Sequence, residues 1–253
     1  MTILITRPAP ECHLLAQQLN AAGISTIAQP LLDIQPGKQL PTLISQLNKL
    51  QSDDFLIAVS VHAVNLAHNY LTTQGASWPK NVHYMAVGHK TAAVLSECSG
   101  NDVLSPQSRC DSEGLLELPA LAKARVQNRR VLILRGNGGR ELISQTLQQR
   151  EAIVSYCETY LRTWIPLDGG QLCQTWQSRQ VSALVVTRGE QLAHLSSLIP
   201  DDKMAWFLQR HLFVPSQRIA DQARMLGFCT ISTVGSAANA CLFTTLSKIG
   251  TMG

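Results

Sequence analysis

The sequence predicts an α/β fold in which parallel sheets are covered by helices on both faces. Three observations lead there. Short β-branched runs alternate with amphipathic stretches along the whole chain, the pattern of repeated strand–helix units. The strand runs are apolar without interruption, as strands buried between two helical layers are. Of the 253 residues, 45% are hydrophobic but only 5% are aromatic, so the core is aliphatic. This length holds one large domain or two of about 120 residues each.

The elements follow in order. A strand over Ile3–Thr6 runs into Arg7 and Pro8, where a proline suits the first turn of a helix, and Cys12–Ala22 has helical periodicity. Strand Ser25–Ala28 precedes a proline- and glycine-containing break, Asp33–Lys38. Strands Phe55–Ser60 and His83–Val87 are followed by helical stretches Val64–Thr72 and Thr91–Cys98, and a further helix is expected over Leu115–Ala124. Strand Val131–Arg135 enters the glycine-rich turn of VLILRGNGGRE, with a helix from Arg140 to Gln149 and a strand over Ala152–Tyr156. A second break, Arg162–Pro166, precedes strands Ala183–Thr187, His211–Pro215 and Cys229–Thr233, with helices Ile219–Leu226 and Ala237–Leu246.

A weak twofold repeat overlies this alternation. FLIAVS ends at Ser60 and YMAVG at Gly88, 28 residues on; ALVVT ends at Thr187 and LFVPS at Ser216, 29 residues on. If both breaks are crossovers, the middle of the chain forms one domain and the first strand joins the C-terminal half in the other. In open α/β sheets ligands bind at the carboxyl ends of the strands, so two such crevices predict a cleft between domains.

Composition narrows the function. A net charge of +4 suits an acidic small molecule and lacks the basic stripe of a nucleic-acid binder. The seven cysteines are widely spaced and form no CxxC pair, which reads as reduced thiols in a cytoplasmic protein. The cysteines and histidines show no metal spacing. The first strand is too short for a signal peptide, and no apolar run reaches the roughly 18 residues of a membrane span.

The chemistry concentrates at the strand ends. The turn after Arg135, with Gly136, Gly138 and Gly139, leaves backbone N–H groups at a helix start, and Arg135 and Arg140 flank it: an expected carboxylate or phosphate site. Its G-x-G-G spacing, with no Lys-Ser/Thr following, excludes a P-loop. Tyr160 offers an O–H donor. Ser60, Gly88, Thr91, Thr187 and Ser216 sit at strand ends or first helical turns, where hydroxyls and amides serve a ligand or cap the helix. His62 reads as a surface helix residue.

These motifs together resemble the uroporphyrinogen-III synthase family. They are ITRP (Ile5–Pro8), AVGHKTA (Ala86–Ala92), SEGLL (Ser112–Leu116), LRGNGGRE (Leu134–Glu141), TYLR (Thr159–Arg162) and PSQRIADQARMLGF (Pro215–Phe228). The resemblance implies two flavodoxin-like parallel-sheet domains joined by a two-stranded linker: residues 1–34 with 166–253, residues 38–161, and linkers 35–37 and 162–165. It implies a cofactor-free, metal-free, monomeric cytoplasmic lyase of porphyrin synthesis. Such an enzyme closes hydroxymethylbilane, a linear tetrapyrrole with eight carboxylates, into a macrocycle while inverting ring D through a spiro intermediate. At most it would touch the upstream bilane-forming enzyme transiently, and it would bind neither nucleic acid nor membrane.

Tyr160 matches the tyrosine that the resemblance implies as donor to the departing hydroxyl. Arg7, Ser60, Gly88, Thr91, Arg135, Gly136, Arg140, Thr187 and Ser216 are the expected substrate-binding positions. For Arg7 the sequence leaves substrate binding and domain packing both open. Arg188 stands where the family often has serine, a departure that places a charge in the cleft or in solvent. The competing reading is a two-lobed α/β protein that binds an anionic small molecule without catalysis.

Overall fold

A computed structural model describes residues 2–139 and 141–250, without the side chains of residues 249 and 250. The chain opens with β1 (Thr2–Ile5), α1 (Glu11–Ala21), β2 (Ser25–Ala28) and β3 (Leu32–Pro36). It continues through α2 (Leu43–Leu47), β4 (Phe55–Ala58), α3 (Val61–Thr73), β5 (His83–Ala86), α4 (His89–Ser99) and β6 (Val103–Leu104). Next come α5 (Ser112–Leu116), α6 (Lys123–Val126), β7 (Arg130–Gly136), α7 (Leu142–Gln149) and β8 (Ile153–Trp164). The last part is α8 (Gly169–Ser178), β9 (Val181–Val185), α9 (Gly189–Leu198), α10 (Asp201–Leu208), β10 (His211–Val214), α11 (Gln217–Leu226), β11 (Ile231–Thr233) and α12 (Asn239–Gly250).

The chain divides into two compact units. Unit 1 is Met1–Asp33 with Thr163–Gly253, and unit 2 is Ile34–Arg162. Unit 1 holds a five-stranded sheet in the order β11-β10-β9-β1-β2, and its neighbouring strands are parallel. Unit 2 holds a six-stranded sheet in the order β3-β8-β7-β4-β5-β6, parallel from β8 to β6. Each sheet has a core on both faces. In unit 2, Leu56 and Ala58 pack toward α3, while Phe55 and Ile57 pack toward α5 and α7. In unit 1, Leu184 and Val186 pack toward α9 and α11, while Ala183 and Val185 pack toward α1 and α12. Burial on both faces explains why these strands are continuously apolar in sequence.

The two sheets share one arrangement. Opening unit 1 at β9 instead of β1 turns β11-β10-β9-β1-β2 into the counterpart of β6-β5-β4-β7-β8. The facing of the side chains fixes the register: Leu56 and Ala58 correspond to Leu184 and Val186. Helix α3 starts after Ser60 and α9 after Arg188, so the counterpart of Ser60 is Arg188, one residue beyond the Thr187 expected from sequence. Gly88 and Ser216 precede α4 and α11, and both intervals are then 28 residues. A period-2 strand tolerates no half step, because a slip of one residue exchanges the two faces.

Other expectations shift for local reasons. Both breaks lie mostly in strands: β3 occupies Leu32–Pro36, and β8 continues unbroken from Ile153 to Trp164, through the expected linker start. The segment YCETYLRTW is rich in aromatic and β-branched residues, which favour a pleated, half-buried strand. The helix expected over Leu115–Ala124 breaks at Pro119, whose ring disfavours helical backbone at the preceding residue; Leu118 is extended, with ψ 132°. Helix α1 starts at Glu11, three residues after Pro8, because Pro10 applies the same restriction to Ala9. Strand β6 spans two residues, too few to leave a pattern.

Candidate active site

In unit 2 the functional side chains gather at the carboxyl ends of β4, β7 and β8. The pairing of β7 with β8 runs in step from Arg130↔Ile153 to Arg135↔Glu158, and then Gly136 pairs with Tyr160. Thr159 is the extra residue of a bulge, a device that re-aims the side chains after it. Its hydroxyl, fully buried, donates to the carbonyls of Ala63 and Arg135 at 3.1 and 3.3 Å. In a regular strand Tyr160 faces away from Cys157; with the bulge both lie in the core against α3.

There the phenol meets Ser60. The Ser60 Oγ donates to the Tyr160 hydroxyl at 3.2 Å and accepts the N–H of Ala63 at 3.2 Å, capping α3. With its oxygen accepting from Ser60, the phenol keeps its own proton to donate. The ring is 6% exposed and lies directly over Gly136: a Cβ on that residue would come 2.4 Å from the ring Cζ. Glycine is required here by contact, since any side chain would displace the tyrosine. The imidazole of His62, in the first turn of α3, lies 5.7 Å from the Tyr160 ring between centroids.

Arg135 is placed differently from a free anion binder. It is 5% exposed; its Nη1 donates to Glu141 Oε1 at 2.8 Å, its Nε donates to the Gly136 carbonyl at 3.3 Å, and its guanidinium lies 4.6 Å over the Tyr156 ring. The Tyr156 hydroxyl donates to the other Glu141 oxygen, as does Ser144 at 3.3 Å. Hydrogen bonding from Tyr156, and then from Arg135, holds the Glu141 carboxyl below the usual carboxylate range. These contacts tie down the glycine turn, where Gly138 and Gly139 adopt φ of 76° and 116°. Val59, Val87, Ser112, Ile133, Arg135 and Tyr156 border a cavity of about 160 Å³ beneath it. Arg140 lies outside the described residues. Asn137 closes the turn, accepting the N–H of Arg162 at 2.7 Å and donating to its carbonyl at 3.3 Å.

Gly88 caps α4 through extended backbone, and Thr91 is buried in its first turn. The remaining expected residues belong to unit 1. Thr187 is 9% exposed and hydrogen-bonds the buried Gln191 at 3.4 Å. Ser216 precedes α11 without a side-chain cap. Arg7 follows β1, half-buried, with its Nη1 bonded to the amide oxygen of Asn239.

The sequence as a whole decides whose site this is. A family model described as uroporphyrinogen-III synthase HemD matches residues 14–238. The chain is 44% identical over 247 residues to a uroporphyrinogen-III synthase of Escherichia coli (strain K12), covering 97% of this chain and 100% of the relative. It is 42% identical, with the same coverage, to one from Salmonella typhimurium. The chain belongs to the uroporphyrinogen-III synthase family.

The fold agrees. A mutant uroporphyrinogen III synthase from Thermus thermophilus matches 99% of both chains with a TM-score of 0.64 at 16% identity. A uroporphyrinogen-III synthetase from Helicobacter pylori matches 98% of this chain and 99% of its own with a TM-score of 0.57 at 14% identity. These share the parallel-sheet α/β architecture.

Within this member of the uroporphyrinogen-III synthase family, sequence reading brings Ser60, Gly136 and Tyr160 forward separately, and the fold joins them in one contact set. It misses Glu141 and Tyr156, the partners of Arg135. A carboxylate six residues after a buried arginine, at a helix start, was the available signal. His62 reads as an ordinary helix residue because its neighbour Tyr160 is 98 positions away in the chain.

Proposed function

We propose that this chain closes hydroxymethylbilane to uroporphyrinogen III with loss of water and inversion of ring D. The contact set around Tyr160 carries the mechanistic reading. A hydroxymethyl group on an electron-rich pyrrole departs readily, so a weak acid suffices as donor. Tyr160 is that donor: Ser60 occupies an acceptor position on the phenol oxygen and leaves the O–H free to protonate the departing hydroxyl.

Loss of water yields a delocalised azafulvenium cation that also closes unaided, to the wrong isomer. Selectivity therefore comes from holding the linear chain so that the substituted carbon of ring D attacks and the spiro intermediate forms. Such positioning lowers the barrier entropically by several kcal/mol. Backbone amides at the helix starts after Ser60 and Gly88, with Thr91 and Ser216, suit the acetate and propionate groups. Arg7, Arg140, Gly136 and Thr187 complete the substrate set, while Arg135 acts by fixing the glycine turn through Glu141.

On this reading both units are flavodoxin-like domains. The order β2-β1-β9-β10-β11 supports it, being the 2-1-3-4-5 order of that class when the strands of unit 1 are counted along the chain. The enzyme works as a cytoplasmic monomer in porphyrin synthesis, with at most transient contact with the enzyme that makes the bilane. The test is to incubate the purified chain with fresh hydroxymethylbilane, oxidise the product and separate the uroporphyrin isomers. Isomer III in excess is the expected result; only isomer I, at the spontaneous rate, would leave a two-lobed anion-binding protein.

A further inference from the structure

The shared arrangement of the two sheets makes Arg7 and Arg135 counterparts. Leu4 corresponds to Leu132, and Ile5 to Ile133, by the faces on which they pack. Three residues past Leu4 and Leu132 stand Arg7 and Arg135, each at the carboxyl end of the strand beside the point where the strand order reverses. By the same register Arg188 is the counterpart of Ser60.

The two arginines are satisfied very differently. Arg135 has a carboxylate, Glu141 at 2.8 Å, and an aromatic face, Tyr156. Arg7 has a neutral acceptor, the Asn239 amide oxygen, on Nη1, and its buried Nε has no hydrogen-bond partner among the described residues. Strands β1 and β9 are paired with Ile5 opposite Val185, so Arg7 and Arg188 leave neighbouring strand ends two and three residues past that pair; burial lowers the Arg7 pKa, Glu11 and Cys12 raise it, and Arg188 lowers it as a like charge. Arg188 is half exposed in its side chain, with Glu190 at 3.4 Å. It precedes α9, whose first turn has no side-chain cap, and α11 beyond Ser216 has none either.

We propose that Arg7 and Arg188 form a carboxylate subsite on unit 1 that takes one acetate or propionate group of the tetrapyrrole. The carboxylate occupies the role that Glu141 plays toward Arg135 in unit 2, and it relieves the repulsion between two guanidinium groups. Arginine suits the task because its planar donor edge matches a carboxylate. The assignment rests on the reading of this chain as a tetrapyrrole-cyclising enzyme. The subsite takes a peripheral carboxylate of the substrate and not the departing hydroxyl, so it contributes to binding in ground and transition states alike.

The test pairs kinetics with direct binding. Steady-state rates with hydroxymethylbilane and quenching of intrinsic fluorescence by uroporphyrin III are measured for the full chain and for Arg188→Ser, Arg7→Gln and Lys203→Ser. Lys203 is a cation of α10 beside Asp202 and controls for net charge. Arg188→Ser raises KM and the porphyrin Kd about fivefold and Arg7→Gln about tenfold, with kcat within about twofold, and Lys203→Ser changes neither. Wild-type KM and Kd in Arg188→Ser would overturn the subsite even if Arg7→Gln fails to fold. If the wild type yields only isomer I but Arg188→Ser still weakens porphyrin binding, the subsite stands and the enzymatic reading falls. If the wild type yields isomer III and Arg188→Ser changes nothing, the reverse holds.

Discussion

Unit 1 and unit 2 present the same strand arrangement with opposite internal chemistry at the carboxyl ends. In unit 2 the polar groups are matched by the protein itself: Arg135 by Glu141, the Tyr160 oxygen by Ser60, and the α3 start by the same serine, which accepts the Ala63 N–H at 3.2 Å. In unit 1 the corresponding places hold Arg7 and Arg188, with a neutral amide for Arg7, only the exposed Glu190 for Arg188, and no side-chain cap at the α9 start. A group that must deliver a proton at a fixed point needs a locked geometry, and internal partners supply it. A group that only has to attract a carboxylate gains from leaving the partner's place to the ligand. On the proposed reading one arrangement supports two jobs, and side-chain satisfaction divides them.

The contrast can be broken most severely at Gly136. Gly136→Val forces its side chain into the Tyr160 ring, so overpacking destabilises the protein by about 1–3 kcal/mol, and activity falls by more than the Tyr160→Phe variant loses. Thermal unfolding and the isomer assay check both. Tyr160→Phe keeps the ring packed but removes the proton, and turnover drops about 100-fold; a loss under about threefold would remove Tyr160 from the donor role.

Glu141→Gln comes next. It deprives the buried Arg135 of its carboxylate and costs about 1–2 kcal/mol, less than a fully buried pair would because Glu141 reaches solvent. Glu141 has a depressed pKa in the folded state, so its contribution is complete above the ordinary glutamate pKa of about 4.3 and fades as pH falls through the folded value. The stability gap between wild type and variant, measured by denaturant titration, therefore narrows toward low pH. The smallest effect belongs to Ser60→Ala. Loss of the α3 cap costs about 1 kcal/mol, and the freed phenol slows turnover several-fold; Ser60→Thr restores the cap and most of the rate.

How far the sequence speaks depends on the range of the interaction behind each feature. The strand–helix alternation is local, and β2 is located to the residue at Ser25–Ala28. The motifs around Gly136 and Tyr160 are visible as composition, but their contact depends on a bulge at Thr159 that is fixed by carbonyls of Ala63 and Arg135, 96 and 24 positions away. The repeat is visible from its letters, yet assigning Thr187 rather than Arg188 to the place of Ser60 requires knowing which face of β9 meets which helix. Arg135 reads as a ligand for an anion because positive charge beside a glycine turn has that meaning in isolation. Only the tertiary structure shows the anion to be Glu141.

Counting residues in β8 has a practical consequence. Deleting the codon for Thr159 removes the first letter of TYLR and a fully buried side chain, a loss that residue identity alone marks as severe. Yet the ladder then runs in step past Gly136, and the tyrosine, now two residues after Cys157, stays on the side of the sheet that faces Ser60. For variants of this chain, sidedness along β8 is a better guide to harm than the identity of the residue that is lost.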